Sequence, residues 1–205
     1  DGDKEVDMTG KIVCPGFLDA HIHLESSLVT PTEFVRAVLP HGTTTVGTDP
    51  HEIANVMGTD GIEYMIQATE GLPIDVRFML PSCVPATPLD ESGATLDYRA
   101  IDSFYEHPRV QGLAEMMNYV GTVAADEQVV EKIVAAQAHH KKIDGHAPGV
   151  KGKALNAYVA AGVYSDHECA TAEEAIEKLE LGQVIMIRAV SYTHLRAHET
   201  VLDLV

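Results

Sequence analysis

The chain has 205 residues, with 14 Lys plus Arg against 31 Asp plus Glu, giving a formal net charge of −17. A hydrophobic content of 45% is enough for a packed core. The acidic balance repels phosphate backbones and disfavours general nucleic-acid binding as a function class. No apolar run reaches the roughly 18 residues that a membrane-spanning helix needs. The first ten residues, "DGDKEVDMTG", are too acidic and polar for a secretory signal, and without Met they read as a processed or incomplete end. Cys14, Cys83 and Cys169 are far apart and form no CxxC, which suits a reducing, cytoplasmic setting rather than a disulfide framework.

In chain order, "KIVCPGFLDAHIH" reads as strand, turn, strand. "TPTEFVRAVLPHG" reads as a helix, with Thr30 as N-cap, Pro31 at the first helical position and Glu33 completing a capping box. Phe34, Val35, Val38 and Leu39 form its buried stripe, and Gly42 ends it. "TTTVGTD" is a second strand, "TDGIEYMIQATEG" a helix with Ile62, Met65 and Ile66 on one face, and "DVRFMLPSCV" a third strand. "DYRAIDSFYEHP" is a helix stopped by Pro108, and "VQGLAEMM" the fourth strand. "DEQVVEKIVAAQAHHKK" is the clearest amphipathic helix, with basic residues at the end its dipole favours. "IDGHAPG" is a strand and turn, "GKALNAYVAAG" a helix and "VYSDHE" a strand. "TAEEAIEKLELG" is a helix with a second capping box, Thr171 to Glu174, and "QVIMIR" is the seventh strand.

Strict alternation of strand and helix predicts a parallel sheet wound by crossover helices. An open doubly wound sheet and a closed (β/α)8 barrel both fit. No GxGxxG follows the first strand, which weakens the dinucleotide-binding version of the open sheet. A full barrel takes about 250 residues, and this chain reaches seven strands.

In parallel α/β folds the chemistry gathers at the C-terminal ends of the strands. His21 and His23 end the first strand, followed by Glu25. Asp49, His51 and Glu52 follow the second. Glu115 ends the fourth, His146 the fifth and His167 the sixth. In a strand, residues i and i+2 share a face, so His21 and His23 can hold one ion between them. An isolated HxH is more simply two histidines on a polar strand face. Four histidines and a glutamate at four strand ends are hard to explain as core filling, and imidazole and carboxylate are ligands for zinc, manganese or iron. The expected arrangement is His21 and His23 on one metal, His146 and His167 on another, and Glu115 bridging them. Two ions about 3.5–4 Å apart can activate a shared water at neutral pH.

"GKIVCPGFLDAHIH" resembles the opening of the metal-dependent amidohydrolase superfamily. Many of its members bridge the metals with a carbamylated lysine on the fourth strand, where this chain has Glu115 in "GLAEMMNY". That glutamate, together with "HLESS", "GTTTVGTDPHEIANV", "DGHAPG" and "YSDHE", resembles the bacterial and archaeal adenine deaminases over about residues 8–188. The resemblance implies hydrolysis of adenine to hypoxanthine and ammonia at a dinuclear manganese or ferrous iron centre held by His21, His23, Glu115, His146 and His167. It also implies a homo-oligomeric full-length form with adenine as its small-molecule partner, and no nucleic acid or membrane partner. The cytidine-deaminase signature, H-x-E with P-C-x-x-C, is not present. Glu25 is the candidate catalytic carboxylate, accepting a hydrogen bond from the purine or moving protons, or else orienting a histidine. Asp49 and His51 are candidates to line the substrate mouth. His41, His107, His139 and His140 read as surface or helix-end residues, and Cys83 and Cys169 as small buried hydrophobes.

The expected fold is therefore an incomplete (β/α)8 barrel of the amidohydrolase type, about seven strands over residues 15–188. Residues 1–14 read as a remnant of a small β domain. The family's eighth strand, with its metal-binding, proton-shuttling aspartate, has no counterpart here. Residues 189–205 depart from the family pattern and read as a non-native tail resembling translated adaptor sequence. His194 and His198 in that tail have helix spacing for zinc but lack the Glu of a zincin motif. On this reading the chain alone deaminates adenine poorly, and its open, apolar edge strands favour aggregation. Two alternatives stay open: another amidohydrolase acting on a cyclic amide or aminopurine, and a non-catalytic metal-binding domain of the same ancestry.

Overall fold

The structure, a computed structural model, describes residues 3–87 and 89–188. Five strands, β1 (Phe17–Ile22), β2 (Thr43–Thr48), β3 (Asp75–Leu80), β4 (Val110–Met116) and β5 (Lys142–Gly145), form one sheet in the order β1-β2-β3-β4-β5. All four pairings are parallel, and the sheet curls into half a barrel. Strands β6 (Ser165–Asp166) and β7 (Val184–Ile185) make a separate parallel pair.

The seven expected strands are thus present, but the wall is not one continuous ladder. At the seam between β5 and β6, Tyr164 N–H donates to Ile143 O (2.8 Å) and Ser165 Oγ donates to Asp144 Oδ1 (2.8 Å). With strands of only four and two residues, there is little backbone to build more. The seam is tight: a Cβ on Gly145 would stand 2.1 Å from Ser165 O, so glycine is required by space rather than by φ.

The helices follow from their caps. Helix α1 (Pro31–Val38) starts where Thr30 Oγ1 accepts from Glu33 N (3.5 Å), one half of the expected capping box, while the Glu33 carboxylate accepts from Arg36 Nη1 (2.9 Å). Two short helices, α2 (His51–Met57) and α5 (Tyr119–Val123), follow β2 and β4 directly. At seven and five residues they are too short to show a helical period, and the sequence pattern assigns them to no element. The long helices α3 (Thr59–Ala68) and α6 (Glu127–Ala138) lie near their expected positions, the second capped by Asp126 on Gln128 N and Val129 N. The expected helix at 97–108 divides into α4 (Tyr98–Asp102) and a 3-10 turn, Ser103–Glu106. Helices α7 (Gly152–Ala160) and α8 (Ala172–Glu180) complete the outer layer.

Residues 11–14, expected as a strand, form none. Ile12 and Val13 are exposed, with no neighbouring strand to take up their backbone groups. The core lies between sheet and helices: Val46, Phe78, Leu80, Leu113 and Ile143 pack against Ile62, Ile101, Ile133 and Leu155. Each such side chain contributes about 1.5–3 kcal/mol when fully buried. Among the described residues, no helix is long and apolar enough to cross a membrane.

Helix α8 inverts the usual pattern. It buries Glu174 and Lys178 and exposes Ile176 and Leu179. Lys178 Nζ donates to Ala147 O (2.8 Å), Glu174 Oε1 (2.9 Å) and Asp166 Oδ2 (3.2 Å). Asp166 in turn accepts from Ala147 N and Glu168 N, and Glu174 from Gly149 N and Ala170 N. This buried network ties the β5 loop, the β6 end and α8 together, and the first two carry His146 and His167.

Candidate metal centre

The end of β1 places His21 and His23 beside the ends of its neighbours. Asp49 N–H donates to Ile22 O (3.0 Å), continuing the β1–β2 pairing past the strands. His23 Nδ1 lies 2.9 Å from Asp49 O. A carbonyl only accepts, so Nδ1 carries the proton and Nε2 presents its lone pair inward. The two inward nitrogens, His21 Nε2 and His23 Nε2, are 3.2 Å apart.

Glu115, buried at the end of β4, stands among His21, His23, His51, His146 and His167. Its Oε2 is 2.7 Å from His146 Nδ1, 2.8 Å from His167 Nε2 and 3.9 Å from His21 Nε2. Its Oε1 is 3.5 Å from His23 Nε2 and 3.4 Å from His51 Nδ1. The rings of His21 and His167 stack with centroids 3.8 Å apart. The frame beneath is rigid. Ser82 Oγ donates to Glu115 O (2.5 Å), while Tyr158 OH donates to Met116 O (2.9 Å) and accepts from His146 N (2.9 Å). One tyrosine therefore fixes the end of β4 against the loop after β5.

Electrostatics hold His21 and Glu115 in the forms that can ligate. Burial, then the neighbouring His167, pushes His21 down to about 3, so its imidazole is neutral and free to donate a lone pair. Burial alone would raise Glu115, but His146 and His167 beside it hold the carboxyl well below its usual range. His51 is pushed up to about 9: burial opposes this, and the Asp49 carboxylate at 2.8 Å outweighs it.

His167 supplies the test of fit. Its side chain is wholly buried, yet among the described residues neither ring nitrogen makes a hydrogen bond of good geometry, although Nε2 comes within 2.8 Å of Glu115 Oε2. Leaving such a group unsatisfied costs about 1–3 kcal/mol, and a cation among these donors removes that cost. Three groups have ligand atoms within 4.8 Å of one another: His21, Glu115 and His167; His23, Asp49, His51 and Glu115; and His146, His167 and Glu168. This nitrogen and oxygen set can hold a first-row divalent ion without selecting which one.

The structure thus brings His21, His23, Glu115, His146 and His167 together, with Asp49 and His51 against the same carboxylate. Glu25 lies outside the three groups. Its Oε1 accepts from Ile53 N (3.2 Å) at the start of α2, its Oε2 is buried without a partner among the described residues, and burial, with Glu52 nearby, pushes the carboxyl up to about 7. Glu168 was not singled out by the sequence reading. Its Oε1 is 3.6 Å from His167 Nε2 and it pairs with Arg188; its place directly after His167 was the available signal. His41, His107, His139 and His140 belong to none of the groups, and Cys83 and Cys169 are buried. His194 and His198 lie outside the described residues. A cavity of about 430 Å³, lined in part by Asp19, His21, His167 and Arg188, opens on the free edge of β1 and reaches the centre.

The chain is similar to adenine deaminase of Desulfatibacillum aliphaticivorans, 56% identical over 183 residues, which cover 89% of this chain and 32% of that protein. Adenine deaminase 2 of Carboxydothermus hydrogenoformans is 52% identical over 193 residues, covering 94% of this chain and 34% of that protein. Adenine deaminase of Syntrophobacter fumaroxidans is 54% identical over 185 residues, covering 90% and 32%. The chain therefore spans about a third of the length of the curated relatives it matches. The pattern of the amidohydrolase family matches residues 12–204. With most of its length matched in this way, and its histidines and glutamate gathered at the strand ends, the chain belongs to the amidohydrolase family.

Proposed function

We propose that this chain is the metal-holding part of an adenine deaminase, converting adenine and water to hypoxanthine and ammonia. The observation that carries the reading is Glu115: a buried carboxylate on β4, with one oxygen toward His146, His167 and His21 and the other toward His23. The adenine deaminases among the relatives support the substrate. His21, His23, Glu115, His146 and His167 would hold two manganese or ferrous ions, which when bound supply the Lewis acidity that makes water a nucleophile near neutral pH.

The side chains do the rest. The neutral His21 and the anionic Glu115 present lone pairs without first losing a proton near neutral pH. The water oxygen ends on C6 of adenine as the amine leaves as ammonia. Glu25, with a carboxyl poised at about 7, is the proposed proton carrier or purine contact. In the whole protein the half-barrel continues into a closed (β/α)8 barrel whose eighth strand adds an aspartate. Residues 1–14 join a small β domain, and the enzyme works as a cytoplasmic homo-oligomer.

The test is a chimera in which residues 8–188 replace the matching segment of a full-length relative. Loaded with manganese, it is expected to deaminate adenine and not guanine, cytosine or dihydroorotate, followed by ultraviolet absorbance. Turnover of one of the others instead of adenine overturns the substrate. Bound metal with no turnover of any overturns the catalytic reading.

A further inference from the structure

We propose that the cavity between the loop after β3 and helix α6 is a binding site for a small monocarboxylate, one carboxylate on a short apolar body, with Lys132 as its cation. The cavity has a volume of about 320 Å³ and is separate from the metal centre, since none of the grouped histidines and carboxylates lines it. One side is the loop from Val84 to Leu96, closed where Leu96 N–H donates to Val84 O (2.9 Å). Ser82 and Cys83 form a second side, and the first turns of α6 a third.

An uncompensated cation is the first argument. Lys132 lines the cavity, is 7% exposed, and donates from Nζ to the neutral carbonyl of Ser82 (2.6 Å). Among the described residues no carboxylate pairs with it, whereas the equally buried Lys178 has two. Burial holds Lys132 below its ordinary 10.5, and the pull of Cys83 and Asp97 does not restore it. A buried ammonium with one neutral partner lacks the anion that usually accompanies such a charge. The other polar groups are the second argument. Asn118 Oδ1 accepts from Gly121 N (2.8 Å), which leaves its Nδ2 free to donate. Lys132 and Asn118 thus present unused donors, which match an acceptor. Asp90 and Asp126 also line the cavity, each tied to nearby groups: Asp90 Oδ2 accepts from Thr87 N and Oγ1, and Asp126 Oδ1 from Gln128 N and Val129 N. Two fixed carboxylates beside one ammonium select a monoanion over a dianion such as phosphate. The apolar lining is the third argument: Val84, Pro85, Leu96 and Val129 suit a short hydrocarbon body behind the carboxylate.

The test uses the 205-residue chain with a chelator present, so that a carboxylate has no metal ion to ligate. Butyrate, its neutral isostere butyramide and inorganic phosphate are titrated separately, with dissociation constants read by proton and phosphorus NMR. Butyrate is expected to bind about 10–100-fold more tightly than butyramide, the worth of a hydrogen bond to a charged group. Lys132→Met, shown to be folded by circular dichroism, is expected to lose that advantage and still bind butyramide. Equal binding of butyrate and butyramide overturns the proposal, as does undiminished butyrate binding in the variant. So does tighter binding of phosphate than of butyrate, or no butyrate binding at about 10 mM. Should Lys132→Met not fold, crystals of the unmodified chain with 4-bromobenzoate decide. A bromine anomalous peak in the cavity, with the carboxylate on Lys132, supports the proposal, and no peak there overturns it.

Discussion

Lys178→Met removes a buried ammonium of similar length and leaves its partners in place. The side chain is fully buried and makes three hydrogen bonds, two of them to carboxylates that are also buried. Methionine fills the volume but leaves Asp166 and Glu174 as uncompensated charges. Breaking a buried pair in this way costs about 3–5 kcal/mol, which for a chain of this size lowers Tm by roughly 6–20 °C. The sign with pH follows from both partners. Despite burial, Asp166 and Glu174 raise Lys178 above its ordinary 10.5, so its contribution is full below 10.5 and fades as pH rises through the raised value. Glu174 is lowered from 4.5, burial notwithstanding, chiefly by Lys178, so its contribution is present above 4.5 and fades as pH falls through the lowered value. The deficit of the variant is therefore greatest between 4.5 and 10.5 and shrinks on acidification. Urea unfolding followed by circular dichroism at neutral and acid pH measures it. A loss under about 1 kcal/mol at neutral pH, or a deficit that grows on acidification, refutes the reasoning.

Gly145→Ala puts a methyl 2.1 Å from Ser165 O and should cost about 1–3 kcal/mol, read by denaturant unfolding, while weakening manganese binding by parting His146 from His167. Asp126→Ala removes the cap on α6 and should cost about 0.5–2 kcal/mol in the same assay, with metal content unchanged. Leu18→Lys, on the free edge of β1 where Phe17 and Leu18 are exposed, should reduce aggregation of the chain, measured by light scattering.

The gathering of these side chains was legible in the sequence because its signals are local. Two-residue spacing put His21 and His23 on one face, and strand–turn boundaries marked Glu115, His146 and His167 as strand ends. Caps at Thr30 and Thr171 fixed helix starts for the same reason. What the sequence does not announce is set by distant partners. Glu174 and Lys178 look like a solvated helix face, and only Asp166 and the Ala147 carbonyl make that face the buried one. Lys132, on α6, is buried to reach Ser82 O at 2.6 Å, which no helical period announces. Residues 11–14 have strand composition but no strand to pair with, and α2 and α5 are shorter than the window in which a helix shows its period.

The central claim is that Glu115 organises a dinuclear centre. The most direct measurement is manganese content per chain, by mass spectrometry after loading and desalting, for the unmodified chain and for Glu115→Ala, with circular dichroism confirming that both are folded. The account predicts two ions in the unmodified chain and loss of the pair in the variant, because without the carboxylate two cations would face each other uncompensated. Two ions retained in folded Glu115→Ala, or none in the unmodified chain, would contradict it.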